Sequence, residues 1–146
     1  MNDDDNDRPP TRALTEDECW QRIAEAPFGR VAAAAAGEVD IFPVNHKVDR
    51  EGDDGPAIVF RTAPGTKLIE LTIHANVAFQ VDGYTDTEAY SVVVKGQARE
   101  LERTSELMRA ETLGVTPWAP EEKPRWVRIQ PTDVHGRAFR RRPVEG

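Results

Sequence analysis

Cysteine is nearly absent from this chain of 146 residues, which has one, Cys19. A single thiol excludes an internal disulfide and a zinc site built from several cysteines. Long apolar runs are missing too, since none approaches the ~20 residues that a membrane helix needs. The first residues are acidic, whereas a secretory signal peptide is basic and then apolar. We therefore expect a cytoplasmic protein, and with three histidines we assign no metal site.

Several catalytic signatures are also absent. The sequence has no HExxH metalloprotease motif, no GxGxxG dinucleotide motif and no Ser/His/Asp order typical of hydrolases. The difficult chemistry of an enzyme with this sequence would therefore belong to a bound cofactor. A net charge of -7 argues against nonspecific binding to nucleic acid, because neutralising phosphates requires a positive surface.

The length and composition fit one folded domain. Hydrophobic residues make up 38% of the chain and recur in patterned blocks, which separates it from a disordered polypeptide. Residues 1–13 are acidic and broken by two prolines, so we expect a disordered tail there. The folded domain is expected over residues 14–139. A basic tail over residues 140–146 follows, and it is either solvated or a clamp for an anion.

Six short runs rich in Val, Ile and Phe predict antiparallel strands and a small, mainly β barrel with peripheral helices. The runs cover residues 29–37, 39–49, 57–63, 77–84, 90–102 and 124–139. The alanines of the first run could form a helix, but the glycines that bracket them favour a strand. Three helices are expected, one opened by a capping box at Thr15 and Glu18, and two over residues 65–75 and 105–114.

Residues 61–68, with the sequence RTAPGTKL, carry the clearest chemical signal. A strand ends at Arg61, a Pro-Gly turn follows and a helix opens near Thr66, which directs several backbone N–H groups outward. Thr62 and Thr66 add hydroxyl donors, while Arg61 and Lys67 add positive charge. This combination suits a phosphate monoester. The alternative is a well-capped helix whose basic residues are merely exposed.

Four runs in register, DIFPVN, VFRTAPGTKL, VAFQVDGY and SVVVKGQARELE, resemble the pyridoxamine 5'-phosphate oxidase-like family of flavin-binding proteins, in particular its small actinobacterial-type members. The resemblance extends from Leu14 to about Phe139. It implies a six-stranded antiparallel split β-barrel that forms a homodimer. It also implies a groove at the dimer interface that binds FMN or, in some branches, the deazaflavin F420.

The resemblance also assigns cofactor-binding residues. The strand before the phosphate segment lays its backbone along the flavin ring at Pro43, Val44 and Asn45. Ser91 matches a position from which the family reaches across the interface, although an outward-facing strand residue explains it equally well. The phosphate end of the site falls on Arg61, Thr62, Gly65, Thr66 and Lys67.

Four further side chains have two interpretations each. Lys95 and Arg99 would add positive charge beside a flavin if they faced inward, but a solvated strand face explains Arg99 better. Cys19 lies early in a helix, where a reactive thiolate is conceivable and packing is the better explanation. His46 follows the ring-binding Asn45, and a buried neutral histidine explains it better than a catalytic acid.

We expect an FMN-dependent oxidoreductase acting on a small organic substrate, with no catalytic residue assigned. His46 and Lys47 depart from close family members, as does Tyr90 in place of a tryptophan, and these changes leave the substrate open. The longer substrate-binding tail of true pyridoxamine phosphate oxidases is missing, so that activity is not expected. The alternatives are an F420-dependent reductase, a non-enzymatic flavin or haem carrier on the same barrel, and an acidic interaction module without a cofactor.

Overall fold

The computed structural model describes residues 10–52, 54–62, 67, 75–114 and 125–141. Eight strands and two helices lie within these ranges. In chain order they are β1 (Thr11–Ala13), α1 (Glu16–Glu25), β2 (Gly29–Ala35), β3 (Glu38–Val44), β4 (His46–Asp49), β5 (Ala57–Thr62), β6 (Ala75–Tyr84), β7 (Glu88–Glu100), α2 (Thr104–Thr112) and β8 (Arg125–Arg140). Neither of these helices has the length and apolar character needed to cross a membrane.

All eight strands belong to one antiparallel sheet with the order β3-β2-β6-β7-β8-β5-β4, and β1 pairs with β8. The two end strands, β3 and β4, are consecutive in the chain and separated only by Asn45. One residue spans at most about 3.6 Å, so the sheet must curl until its ends meet. The predicted mainly β, barrel-like fold is confirmed, although no ladder between the described strands closes the barrel.

Six strands were expected and eight are found within the described ranges, so the expected number is wrong. The two additional strands depend on which other strand each segment pairs with. The run over residues 39–49 divides at Asn45, since β3 pairs with β2 and β4 pairs with β5. Strand β1 pairs with the end of β8, with Thr11 opposite Phe139. The expectation of disorder through residue 13 is therefore wrong for residues 11–13, and residues 1–9 lie outside the described part of the chain.

Helix α1 begins as its sequence predicts. The Thr15 hydroxyl accepts a hydrogen bond from the Glu18 backbone N–H at 3.2 Å, and the Glu18 carboxylate accepts one from the Thr15 N–H at 3.1 Å. This reciprocal capping box satisfies two donors at the helix start. The inner face of α1 packs on β8 at Gly136, where an added Cβ would lie 2.9 Å from the Cys19 sulfur.

The alanine-rich run forms strand β2, as predicted. Val31 and Ala33 are buried, while the residues between them are partly exposed, which is the alternation of a strand with one covered face. The strand ends in a tight turn at Ala36 and Gly37, whose φ angles are 52° and 82°. Two consecutive positive φ angles are typical of the hairpin turn that joins neighbouring antiparallel strands.

Two apolar clusters stabilise the sheet. The larger fills the inside of the curl, and its bulkiest fully buried side chains include Phe60, Phe79, Ile23, Ile58 and Ile129. The smaller lies on the opposite face of the sheet beneath α2, and its buried members are Val59, Leu101, Ala110 and Trp126. Because side chains alternate along a strand, β5 contributes to both clusters and is buried on both faces.

The predicted helices other than α1 have different outcomes. The helix expected over residues 105–114 is confirmed as α2, and Gly114 follows it with a φ of 72°. Of the helix expected over residues 65–75, all but Lys67 and Ala75 lies outside the described residues.

The start of the basic C-terminal run takes part in the fold. Arg140 ends β8, so the folded part extends past residue 139. The Arg141 guanidinium donates to the Thr85 carbonyl oxygen at 2.7 Å and lies 4.5 Å from the centre of the Tyr84 ring. These contacts hold Arg141 at the turn between β6 and β7.

Candidate functional site

The junction between β3 and β4 joins the two ends of the sheet. Pro43 is exposed and Val44 is buried at the end of β3. Asn45 follows, and the β4 ladder then begins with His46 opposite Phe60 of β5. The three residues predicted to contact a flavin ring therefore lie where the sheet ends meet, next to the end of β5.

Arg61 and Thr62 end β5 beside this junction. The β4–β5 ladder ends at the pair His46–Phe60, so Arg61 and Asn45 are the next residues along the chain beyond that pair. The Arg61 guanidinium lies 5.6 Å from the centre of the Trp126 ring, and its Nε is buried with no hydrogen-bond partner among the described residues. A buried cationic donor that lacks an acceptor suits an anionic ligand. The other predicted phosphate donors on this turn, Gly65 and Thr66, lie outside the described residues.

Lys67 forms ion pairs with two acidic side chains of β3. Its ammonium nitrogen lies 3.0 Å from an Asp40 carboxylate oxygen and 3.5 Å from one of Glu38. The contact with Asp40 raises the pKa of the Lys67 ammonium. Val44 is four positions after Asp40 in this extended strand, which corresponds to about 13 Å. The structure thus places the Arg61 backbone beside the junction with its guanidinium near Trp126 of β8, and it pairs Lys67 with acids farther along β3.

Ser91 belongs to a polar network on the outer face of the sheet. The Gln80 side-chain amide donates to the Ser91 hydroxyl at 3.3 Å and to the Asp82 carboxylate at 3.0 Å. Arg30 donates to the Gln80 side-chain oxygen at 3.1 Å, and Arg30 is the ladder partner of Pro43. The network connects Ser91 with strand β3, whose end carries the residues predicted to contact a flavin ring. It was not predicted from the sequence, because its members become neighbours only when the strands pair.

His46 is buried beside the junction. Its Nε2 lies 2.7 Å from the Ile23 carbonyl oxygen, so Nε2 carries the hydrogen and donates it. Its ring meets the Phe79 ring edge-on, with the ring centres 4.8 Å apart. Burial lowers the pKa of His46, which favours the neutral ring. The structure therefore supports the buried neutral histidine over the catalytic acid.

The remaining candidate side chains lie away from the junction. Lys95 and Arg99 are exposed, and Arg99 forms an ion pair with Glu106 of α2 at 3.1 Å. Both face solvent rather than the interior, as expected for Arg99. Cys19 is buried, and its burial raises the pKa of its thiol, so packing explains this residue.

A second charged cluster lies beneath α2 and was not predicted. The buried Asp49 carboxylate accepts hydrogen bonds from Arg109 at 2.6 Å and from Arg128 at 2.7 Å. Burial alone would raise the pKa of Asp49, but the bonds from Arg128, the Glu51 N–H and Arg109 outweigh it and lower the pKa. Because Arg109 is on α2 and Arg128 is on β8, this cluster fastens the helix to the sheet.

The junction and Arg61 together define what the site can bind. The junction offers backbone donors and acceptors, Arg61 offers a positive charge, and the adjacent His46 is held neutral. This combination suits a planar polar ring that carries an anionic group. Since burial disfavours a proton-carrying role for His46, the reactive atoms would belong to the bound molecule.

Known proteins are similar to this chain in sequence and in fold. A family model described as pyridoxamine 5'-phosphate oxidase matches residues 15–138. The chain is 34% identical to the FAD binding protein from Mycobacterium smegmatis, with a TM-score of 0.79 over 90% of this chain and 100% of that one. It is 37% identical to a candidate pyridoxamine 5'-phosphate oxidase from Corynebacterium glutamicum, with a TM-score of 0.81 over 95% of this chain and 98% of that one.

A more distant structure has the same architecture. An FAD-binding protein from Mesorhizobium loti is 26% identical, with a TM-score of 0.68 over 88% of this chain and 97% of that one. The family match runs from α1 to near the end of β8 and includes every strand of the sheet except β1, and the related structures share the fold. The chain therefore belongs to the pyridoxamine 5'-phosphate oxidase family.

Proposed function

We propose that this chain binds a flavin nucleotide, with FMN as the first candidate, and acts as an oxidoreductase on a small organic substrate. The observation that carries the proposal is Arg61, whose buried Nε lacks a partner among the described residues and whose backbone directly follows Phe60, the ladder partner of His46. When bound, the flavin supplies the hydride chemistry. The chain binds and orients it and shields it from water.

The junction residues fit a flavin ring. Backbone N–H and C=O groups of Pro43, Val44 and Asn45 can meet the polar edge of the ring without burial of a charged side chain, which would be costly. Proline contributes only its carbonyl. Val44 is 2% exposed, so the segment is anchored in the core while its neighbour Pro43 faces outward. An anchored backbone favours one orientation of the ring.

The end of β5 fits the phosphate of the nucleotide. Arg61 contributes a charge-assisted donor, and Thr62 follows it in the strand. Lys67 contributes to the phosphate site only by exchanging its contact with Asp40 for one with the ligand. Gly65 and Thr66 remain proposed donors of the same turn.

FAD is a second candidate, because the related proteins from Mycobacterium smegmatis and Mesorhizobium loti are described as FAD-binding. The FMN part of FAD would use the same junction and the same Arg61. F420 is a third candidate, but its oligoglutamate tail needs further cations. Arg141, one of the cations available for it, is engaged by Thr85 and Tyr84.

We propose that the functional unit is a homodimer in the cytoplasm. Val39 and Ile41 of β3 are 71% and 67% exposed, and they lie on the same face as Pro43. A groove of about 430 Å³ beside Val39 is lined by small side chains that include Ala32, Ala34 and Ala78. A second copy covering this face would bury the exposed apolar side chains and enclose the ring-binding end of β3.

The visible spectrum of the purified protein tests the proposal, together with mass spectrometry of the molecule released on denaturation. We expect an oxidised-flavin spectrum and the mass of FMN. The mass of FAD or F420 would favour those candidates, and haem absorption would favour the carrier alternative. Turnover with a reduced nicotinamide donor and an organic acceptor separates an oxidoreductase from a carrier. A chain that holds no flavin and takes up neither FMN nor FAD would contradict the proposal.

A further inference from the structure

We propose that His46 is a positioning residue for the flavin ring, because it ties the junction at Asn45 to the end of helix α1. This inference rests on the proposed function. His46 does not need to touch the cofactor in this role. It fixes the path of the backbone that does.

The end of α1 requires a donor from outside the helix. In an α-helix the carbonyl of Ile23 would accept a hydrogen bond from the N–H four residues later, but that residue is Pro27, which has no N–H. The preceding bond is intact, since the Ala26 N–H donates to the Arg22 carbonyl at 3.1 Å. The Nε2–H of His46 satisfies the Ile23 carbonyl at 2.7 Å.

His46 occupies the position from which such a bond controls the junction. It is the first residue of β4 and directly follows Asn45, the one residue that links the two ends of the sheet. In the ladder it lies opposite Phe60, and its ring contacts Phe79 of β6. A shift of His46 is transmitted to Asn45 through one rigid peptide unit.

Packing alone does not explain a histidine at this position. His46 is 5% exposed, and its Nδ1 is buried with no hydrogen-bond partner among the described residues. An unpartnered buried acceptor is unfavourable, and a phenylalanine would fill the same space without that cost but would leave the Ile23 carbonyl without its donor. A cavity of about 280 Å³ borders both His46 and Asn45. The junction therefore has room to move when the bond to Ile23 is lost.

Two variants of the full-length protein test the inference by titration with riboflavin and with FMN. His46→Phe keeps the ring volume and removes the donor, whereas His46→Gln keeps a donor that can reach the Ile23 carbonyl. We expect His46→Phe to lower the affinity for both ligands equally, by about tenfold, because one hydrogen bond orders the ring-binding backbone. His46→Gln should bind both ligands within about threefold of the wild type. The equal effect separates ring positioning from phosphate binding, since riboflavin has no phosphate.

Ile129→Val is the control for lost stability, because Ile129 is a fully buried core residue of β8. It should lower the melting temperature and leave both affinities unchanged. The inference would be overturned by a folded His46→Phe protein with wild-type affinities. It would also be overturned by a His46→Gln protein whose affinities are as low as those of His46→Phe. A wild-type protein that binds neither ligand would instead overturn the proposed function together with it.

Nitrogen NMR of the His46 ring in the wild-type protein gives a second test that needs no variant. We expect the tautomer protonated at Nε2 in the free protein, and we expect both ring resonances to shift when riboflavin is added. Ring resonances that stay unchanged at saturating riboflavin would overturn the inference even if His46→Phe does not fold.

Discussion

The Lys67 ammonium nitrogen lies 3.0 Å from an Asp40 carboxylate oxygen, so the lysine of the predicted phosphate turn is paired with an acid on the strand that is proposed to bind the flavin ring. Glu38 adds a second acid at 3.5 Å. A flavin phosphate must therefore compete with two carboxylates for this ammonium group. A count of the cationic side chains near the site is therefore larger than the net positive charge that a bound phosphate would experience.

Removal of one of these acids should strengthen phosphate binding. We expect Asp40→Asn to increase the affinity for FMN by about two- to fivefold, because the gain for exposed charges is modest. Riboflavin, which has no phosphate, should bind unchanged. Asp54→Asn, at an exposed aspartate in the loop between β4 and β5, is the matched control. Fluorescence titration measures both ligands, and an FMN affinity that falls in Asp40→Asn would show that Asp40 orients Lys67 for the phosphate.

Asp49 should stabilise the attachment of α2 to the sheet. Asp49→Asn removes the buried carboxylate that pairs with both Arg109 and Arg128 and leaves Arg109 only the exposed Glu51 at 3.6 Å, and we expect a loss of about 2 to 3 kcal/mol in the free energy of unfolding. Urea denaturation measures this loss. Glu111→Gln, on the exposed side of the same helix, should change the stability little. Equal stability of Asp49→Asn and the wild type would contradict this role for the cluster.

The contribution of Asp49 should depend on pH with a defined sign. Its pKa in the folded protein lies below its ordinary value of 3.8, so the folded state binds its proton less tightly than the unfolded state. The stabilisation is complete above pH 3.8 and is lost as the pH falls through the folded pKa. The difference in unfolding free energy between the wild type and Asp49→Asn should therefore be constant near neutral pH and shrink below about pH 4.

Local features of this fold could be predicted from the sequence, whereas its long-range pairings could not. The capping box at Thr15 depends on a residue three positions away, and the strand runs depend on alternation along one segment. In contrast, nothing near Thr11 indicates a partner at Phe139, and nothing within residues 39–49 marks the change of partner strand at Asn45.

The candidate site shows the same division. The phosphate segment was predicted from residues that are neighbours in sequence, and its turn lies outside the described residues. The competition for Lys67 could not be predicted, since Asp40 belongs to a strand much earlier in the chain. The hydrogen bond between His46 and Ile23 could not be predicted either, because it joins a strand to a helix that ends before β2 begins.

The exposed face of β3 should be the dimer contact. We expect Ile41→Gln to shift the protein from dimer to monomer and to weaken flavin binding with it, because the proposed second copy would enclose the site. Met108→Gln is the matched control, since Met108 is 65% exposed on α2, outside the proposed contact. Light scattering measures the mass of each variant. A wild-type protein that is monomeric at micromolar concentration with flavin bound would refute the dimer.

The central claim is that the β3–β4 junction and the end of β5 hold a flavin nucleotide, with its phosphate at Arg61. The most direct test is titration of the wild type and Arg61→Ala with FMN and with riboflavin, with Arg99→Ala as the control because Arg99 is exposed and paired with Glu106. Loss of a charge-assisted donor to a phosphate should weaken FMN binding by about ten- to hundredfold and leave riboflavin nearly unaffected. Equal weakening of both ligands, or no binding of either by the wild type, would contradict the account.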